Sequence, residues 1–159
     1  MTRWLDPVED RAWRGFLEVN GRLERALDRQ LHSESGLPHT YYMVLAMLSE
    51  APERRLRMSD LADITTSSPS RISHAVARLE ELGWVERLRC PSDRRGWLAS
   101  LTDEGFAVLE RAAPEHVETV RRVFFDPLDR RQVEALADIC ADMLQALEAE
   151  EVSRRRLPV

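Results

Sequence analysis

The side chains best suited to chemistry lie between Ser68 and Gly96. Ser68, Ser70, Arg71, Ser73, His74 and Arg78 bring hydroxyls, an imidazole and guanidinium groups together, and Asp93, Arg94 and Arg95 follow in a turn-rich stretch. These groups donate hydrogen bonds and carry positive charge. Guanidinium forks match phosphates and guanine edges in a way that a lysine ammonium does not. Catalytic chemistry has no comparable support, because there is no glycine-rich phosphate loop, no nucleophile elbow and no pair of acids with a histidine in a cleft-like context. Metal chemistry is equally weak. His32 and His39 are separated by a Gly-Pro turn, and His74 and His116 are remote from them, so no ligand spacing emerges and no metal or cofactor is expected.

The elements that must position these residues can be read in order. Ser59 is a helix N-cap candidate with Asp60 in the first turn, and Leu61, Ala62 and Ile64 give a short apolar face. Thr65 to Ser68 interrupts that helix. Ser68-Pro69 then starts another, since Ser caps and Pro at the first position gives up only an N–H that would have no partner. Ile72, Val76, Leu79 and Leu82 form its buried stripe, which leaves Ser70, Arg71, Ser73, His74 and Arg78 outside. Gly83 ends the helix. Trp84 to Arg89 and Trp97 to Leu101 alternate as two strands of a hairpin, with the charged tip Cys90 to Gly96 between them. Thr102 caps the next helix, with Asp103 and Glu104 in its first turn. Helix, turn, helix and hairpin in this order predict a winged helix-turn-helix. In that geometry the second helix enters the major groove by its N-terminal half, and the wing can place Arg in the minor groove.

Leu61-Ala62, the run Ser73 to Leu82 with Arg78-Leu79-Glu80-Glu81-Leu82-Gly83, Cys90-Pro91-Ser92-Asp93-Arg94-Arg95 and Leu101-Thr102-Asp103-Glu104-Gly105 together resemble the MarR family of bacterial transcriptional regulators. The resemblance covers almost the whole chain up to Glu151. It implies a homodimer on a pseudo-palindromic double-stranded DNA operator, usually a repressor released by a small ligand or by oxidation. Carried over by position, Asp93 would orient the wing, Arg95 would reach into the minor groove and Arg94 would meet phosphate. Ser68 opens the recognition helix; Ser70, Arg71, Ser73 and His74 are candidates for base edges or nearby phosphates, and Arg78 for backbone. His74 stands where the family often carries Arg, with Arg71 three residues earlier.

The expected fold class is mainly α with a small β-hairpin wing (α+β), flanked by N- and C-terminal dimerisation helices. Leu5, Val8, Ala12, Trp13, Phe16, Leu17, Leu23, Leu27 and Leu31 keep helical spacing, as do Val133, Leu136, Ala137, Ile139, Cys140, Met143, Leu144 and Leu147. Such wide apolar stripes at both ends need a partner, and an isologous dimer supplies one. Leu37 to Ser49 reads as a further apolar helix, Pro114 as a kink in the helix that opens at Thr102, and Asp126-Pro127 as the break before the last helix. The expected organisation is 1–36 N-terminal dimerisation helix, 37–102 DNA-binding domain, 103–151 C-terminal dimerisation helices and 152–159 tail. Trp13, Phe16, His39, Tyr41, Tyr42 and Met43 form the richest aromatic and polar group near the crossing of the first two helices. By the same resemblance, a small aromatic effector is expected there, although ordinary packing would use the same residues.

Net charge is −5, which at first opposes DNA binding. Its distribution does not: residues 54–97 hold nine Arg against six acids, a local +3 that leaves −8 for the remainder. All 23 cationic residues are Arg, a usage that fits a GC-rich genome as well as recognition. With 159 residues, 43% hydrophobic content and no long apolar run, the chain is expected to be cytoplasmic, with no membrane partner. Cys140 lies on an apolar stripe and is expected to be buried, whereas Cys90 beside the wing arginines is expected to be an exposed thiol. Two other readings stay open at this point: a dimeric helical protein-interaction module, and an oxidant-sensing regulator acting through Cys90.

Overall fold

The computed structural model describes residues 2–90, 93 and 96–156. Arg94 and Arg95 lie outside the described residues. The chain divides into two compact units, 1–119 and 120–159. Among the described residues no helix is long and apolar enough to cross a membrane.

The first unit begins with α1 (Pro7–Ser35). Its start is set by a reciprocal cap: the Asp6 carboxylate accepts the N–H groups of Val8 and Glu9 at 2.7 and 2.9 Å, and Glu9 accepts the Asp6 N–H at 2.8 Å. Leu5 therefore precedes the helix instead of opening it. Gly36, at φ +66°, ends α1 in the left-handed conformation. Helix α2 (His39–Glu50) follows, and a 3₁₀ turn leads into β1 (Arg55–Arg57). Then come α3 (Met58–Ile64), α4 (Pro69–Glu81), β2 (Val85–Arg89), β3 (Trp97–Leu101) and α5 (Asp103–Val120). Leu31, Leu45, Leu48, Leu61, Ile72 and Leu79 are fully buried in one core shared by α1 to α4, and the sheet adds Val85 and Ala99.

The hairpin expected from the sequence is part of a three-stranded antiparallel sheet in the order β1-β3-β2. Arg55, Leu56 and Arg57 pair with Ser100, Ala99 and Leu98, while Val85 to Arg89 pair with Leu101 to Trp97. A three-residue strand is too short to show alternation, and its formation depends on the open edge of β3. The α3 start also differs from expectation. The helix begins at Met58 without a side-chain cap, and the Ser59 hydroxyl bonds to Asp60 instead. On α4 the buried stripe is Ile72, Ala75, Val76 and Leu79, and Leu82 is 43% exposed. Leu82 stands past the last helical turn, as the C-cap, so the helical period no longer governs where it points.

Thr102 behaves as its sequence position predicts. Its hydroxyl accepts the Gly105 N–H at 3.0 Å and donates to the Gly83 carbonyl at 2.8 Å. Helix α5 runs through Pro114 to Val120.

In the second unit a π-helical turn (Arg121–Phe125) leads to the break at Pro127, and α6 (Arg130–Arg156) follows. Asp129 accepts the Gln132 N–H at 2.8 Å and donates its own N–H to the Gln132 side chain at 2.9 Å. This is a second reciprocal cap. The helix passes the Glu151 boundary and takes in residues 152–156 of the segment expected to be a tail.

Candidate nucleic-acid interface

The turn between α3 and α4 is built by hydroxyl groups. Thr65 Oγ1 donates to the Leu61 carbonyl at 2.7 Å, Thr66 takes φ +50°, and the Ser67 N–H reaches the Ala62 carbonyl at 3.0 Å. Ser68 then caps α4 by accepting the Arg71 N–H at 3.2 Å, with Pro69 at the first helical position. The Ser68 oxygen is thus occupied by the cap. Burial of Ile72, Ala75, Val76 and Leu79 fixes the rotation of α4 about its axis, and Ser70, Arg71, Ser73, His74 and Arg78 are exposed on the outside.

The far end of α4 is tied to the hairpin. Arg87 Nε and Nη2 approach Glu80 Oε2 at 2.7 and 2.6 Å, and this hydrogen-bonded guanidinium holds the Glu80 carboxyl below its ordinary range. The pair thus ties the end of α4 to β2. Two of the outward arginines already have partners in the chain: Arg78 pairs with Glu81, and Arg71 Nη2 donates to Thr40 Oγ1 at 3.1 Å. Both contacts are solvent-exposed and cost little to exchange for another acceptor.

Beyond the strands, the tip is closed by backbone bonds from Cys90 N–H to Gly96, from Asp93 N–H to Cys90 and from Gly96 N–H to Asp93, at 3.1, 3.3 and 3.0 Å. Arg89 lies over the Trp97 ring at 4.0 Å, covering the base of the wing. The cysteines are placed opposite to expectation. Cys90 is buried at 6% exposure and Cys140 is exposed. Cys90 lies against Gly96, where an added Cβ would sit 3.2 Å from Cys90 Cβ, and Cys140 lies on a face of α6 that is exposed among the described residues. A thiol shielded in this way is a poor oxidant sensor, since reactivity needs access as well as a thiolate.

The aromatic group expected to hold a ligand is dispersed. Trp13 and Phe16 stack on each other, with ring centroids 6.5 Å apart, on an exposed part of α1. Tyr42 is buried against His116 at 4.2 Å, and Tyr41 is half-buried. Only His39 and Met43 of that group line a cleft of about 400 Å³ between α1, α2 and the α3–α4 turn, where Leu23, Glu24, Leu27, Thr40, Thr66 and Arg71 join them. The added lining residues come from separate elements, so no local motif announces them. Only the i, i+4 spacing of Leu23 and Leu27 on α1 hints at a shared face.

Across 92% of each chain, the structure matches Sco3205, a MarR family transcriptional regulator from Streptomyces coelicolor solved in complex with DNA, with a TM-score of 0.86 and 49% identity. The chain belongs to the MarR family. AbsC, a MarR family transcriptional regulator from the same organism, is 41% identical with a TM-score of 0.84, over 93% of this chain and 99% of that one. The MarR family sequence model matches residues 35–96, from the end of α1 to the wing. The transcriptional regulator PecS of Dickeya dadantii is 34% identical over 103 residues, 64% of this chain and 61% of that protein. The chain spans about three fifths of the length of the curated relatives it matches.

This MarR-family chain also brings a buried His116 against the half-buried His39 beside the cleft. The rings of His39 and His116 are 5.9 Å apart, and His116 Nδ1 lies 3.3 Å from Gln30 Oε1. Gln30 Nε2 donates to Glu34, so its oxygen faces the imidazole and Nδ1 carries the proton. Burial lowers the pKa of both rings. Asp28 and Glu24 oppose the shift at His39 while Arg71 adds to it, and His39 adds to the shift at His116. An unfolded imidazole takes up a proton that the folded one refuses, so this contribution to stability is complete above about pH 6.5 and is lost as pH falls through the depressed folded values. The thermal unfolding midpoint should therefore drop between about pH 7 and about pH 5.5. His116→Asn keeps a donor toward Gln30 and should flatten that slope; an unchanged slope would remove His116 from the response.

Proposed function

We propose that this chain is a sequence-specific, DNA-binding transcriptional regulator that acts as a homodimer on a pseudo-palindromic operator. The observation that carries the reading is the exposed N-terminal half of α4. Its Ser70, Arg71, Ser73 and His74 side chains project from a helix whose rotation is fixed by the core and whose far end is held by the Glu80–Arg87 pair. The DNA-bound state of its relative Sco3205 supports it. Repression is the favoured sign, because a dimer seated on promoter DNA excludes other proteins. A regulator of chromosomal DNA would act in the cytoplasm.

The cleft between α1, α2 and the α3–α4 turn is the favoured effector site. It shares Arg71 with the recognition helix. A small aromatic molecule seated there would contact the same arginine that faces the groove, and so could bias DNA affinity.

The test is fluorescence anisotropy with DNA from upstream of the protein's own gene, at several salt concentrations, against a scrambled duplex. Selective binding that weakens with salt is the expected outcome. Equal, weak binding to both duplexes would replace this reading with a protein-interaction module. Within a positive result, Arg71→Ala and His74→Ala should change preference at particular operator positions by about 1 to 3 kcal/mol. Uniform weakening across operator variants would identify phosphate contacts instead.

A further inference from the structure

Arg57 holds a position that neither the recognition helix nor the wing motif explains. It is the last residue of β1, paired with Leu98 of β3, and it immediately precedes α3. Its Nη1 reaches Asp93 Oδ2 at 3.6 Å. Asp93 belongs to the wing tip. Its N–H bonds to Cys90 and its carbonyl accepts from Gly96, while its carboxylate lies over Gly96 so closely that a Cβ there would sit 3.1 Å from Oδ2. The pair thus spans a cleft of about 260 Å³ between the start of α3 and the wing, lined also by Met58, Ser59, Gly96 and Trp97.

We propose that Arg57 is a positioning residue for DNA binding: its ion pair with Asp93 braces the wing tip against the helix-turn-helix and so fixes the wing's aim relative to α4. The inference rests on the DNA-binding reading above. Ladder pairing ends at Arg89 and Trp97, and beyond it the Cys90 N–H bonds to the Gly96 carbonyl, so the Asp93 carboxylate is a side-chain tie from past the ladder to the helix-turn-helix. The tip's carboxylate reaches back to a residue that leads directly into α3, and α3 is packed on α4 through Leu61. Groove contacts from helix and wing are made simultaneously only when their separation is held. A brace of this kind changes affinity without touching a base.

The alternative role for an exposed arginine here is a direct phosphate contact, and the acid separates the two. Removing a carboxylate beside a polyanion strengthens binding if charge alone matters, whereas breaking a brace weakens it. Operator affinity is to be measured for Arg57→Met, Asp93→Asn and the double variant, alongside hydrogen exchange of the Cys90, Asp93 and Gly96 amides in the DNA-free protein. Each single variant should bind about fivefold more weakly, the size of a favourable exposed pair. The double variant should be no weaker than the worse single one, because both remove the same interaction. Arg57→Lys should retain most of the affinity, and exchange at the tip should accelerate in both single variants with α4 unchanged. Tighter binding by Asp93→Asn, additive losses in the double variant, or unchanged exchange would each overturn the brace. A wild-type protein without operator selectivity would overturn the DNA-binding reading instead, and the exchange data would still decide whether the pair holds the tip.

Discussion

Gly105→Ala is expected to lower the stability of the folded chain by about 3 kcal/mol or more, at the upper end of what overpacking costs. A methyl group at this position would sit 2.1 Å from the Trp84 carbonyl oxygen and 2.8 Å from Leu101 Cδ1. The first obstacle is backbone and cannot rotate away. It is also committed, since the Trp84 carbonyl accepts the Thr102 N–H at 3.1 Å, and Thr102 in turn bonds to Gly83 and Gly105. Pushing α5 back to a normal separation would break the cap that starts the helix. Ala over Gly returns about 1 kcal/mol of helix propensity, too little to offset the clash. Gly83→Ala is the informative contrast, because Gly83 has φ +75° but nothing within 4 Å of its Cβ position. That variant should lose only the backbone penalty of about 1 to 2 kcal/mol. Urea unfolding of both checks the argument. Equal midpoints for Gly105→Ala and wild type would mean that α5 does not sit on the Gly83–Trp84 backbone.

The same segment shows which features could be read from the chain alone. Ser68-Pro69 and Thr102 are caps whose function is completed within three residues, so the sequence states them fully. The stripe on α4 is legible for the same reason, since Ile72, Val76 and Leu79 are set by helical period. The placement of Leu82 is not, because the period stops at the C-cap. Strand β1 depends on an edge supplied by residues more than forty positions away, and three residues carry no pattern of their own.

The candidate site divides along the same line. Outward placement of Ser70, Arg71, Ser73 and His74 follows from the buried stripe. The contacts of Arg71 with Thr40 and of Arg57 with Asp93 do not, because they join separate elements across 31 and 36 residues of chain. Trp13 and Phe16 share an aromatic and polar character with the group that includes His39, yet they stand exposed on α1 and do not line the cleft. Composition can nominate ligand-binding residues, but only packing decides which of them meet. Cys90 and Cys140 make the same point in reverse. One is buried against Gly96 on the far side of the hairpin, a packing no local rule specifies, and the other is left exposed on a helix whose stripe looks like core.

That exposed stripe leads to the second large expected effect. Met143→Glu combined with Leu147→Glu should convert the proposed dimer to a monomer and weaken binding to a two-half-site operator by about a hundredfold or more. On α6, Ile139, Met143, Leu144 and Leu147 are 49%, 52%, 59% and 60% exposed, and their spacing places them along one face of the helix. A contiguous apolar face of this kind is unusual on a monomer. In the proposed homodimer a second copy of the chain would offer the identical face and cover it through a two-fold axis. Two recognition helices linked in this way would engage the second half-site as an intramolecular event, which is the origin of the expected loss. Light scattering reports the oligomeric state, and anisotropy with full and single half-site duplexes separates the contributions. The variant should match wild type on a single half-site, because α4 and the wing belong to the other compact unit. A variant that remains dimeric would exclude this face of α6 from the interface. A monomer that binds the full operator as tightly as wild type would show that the two half-sites are not read together.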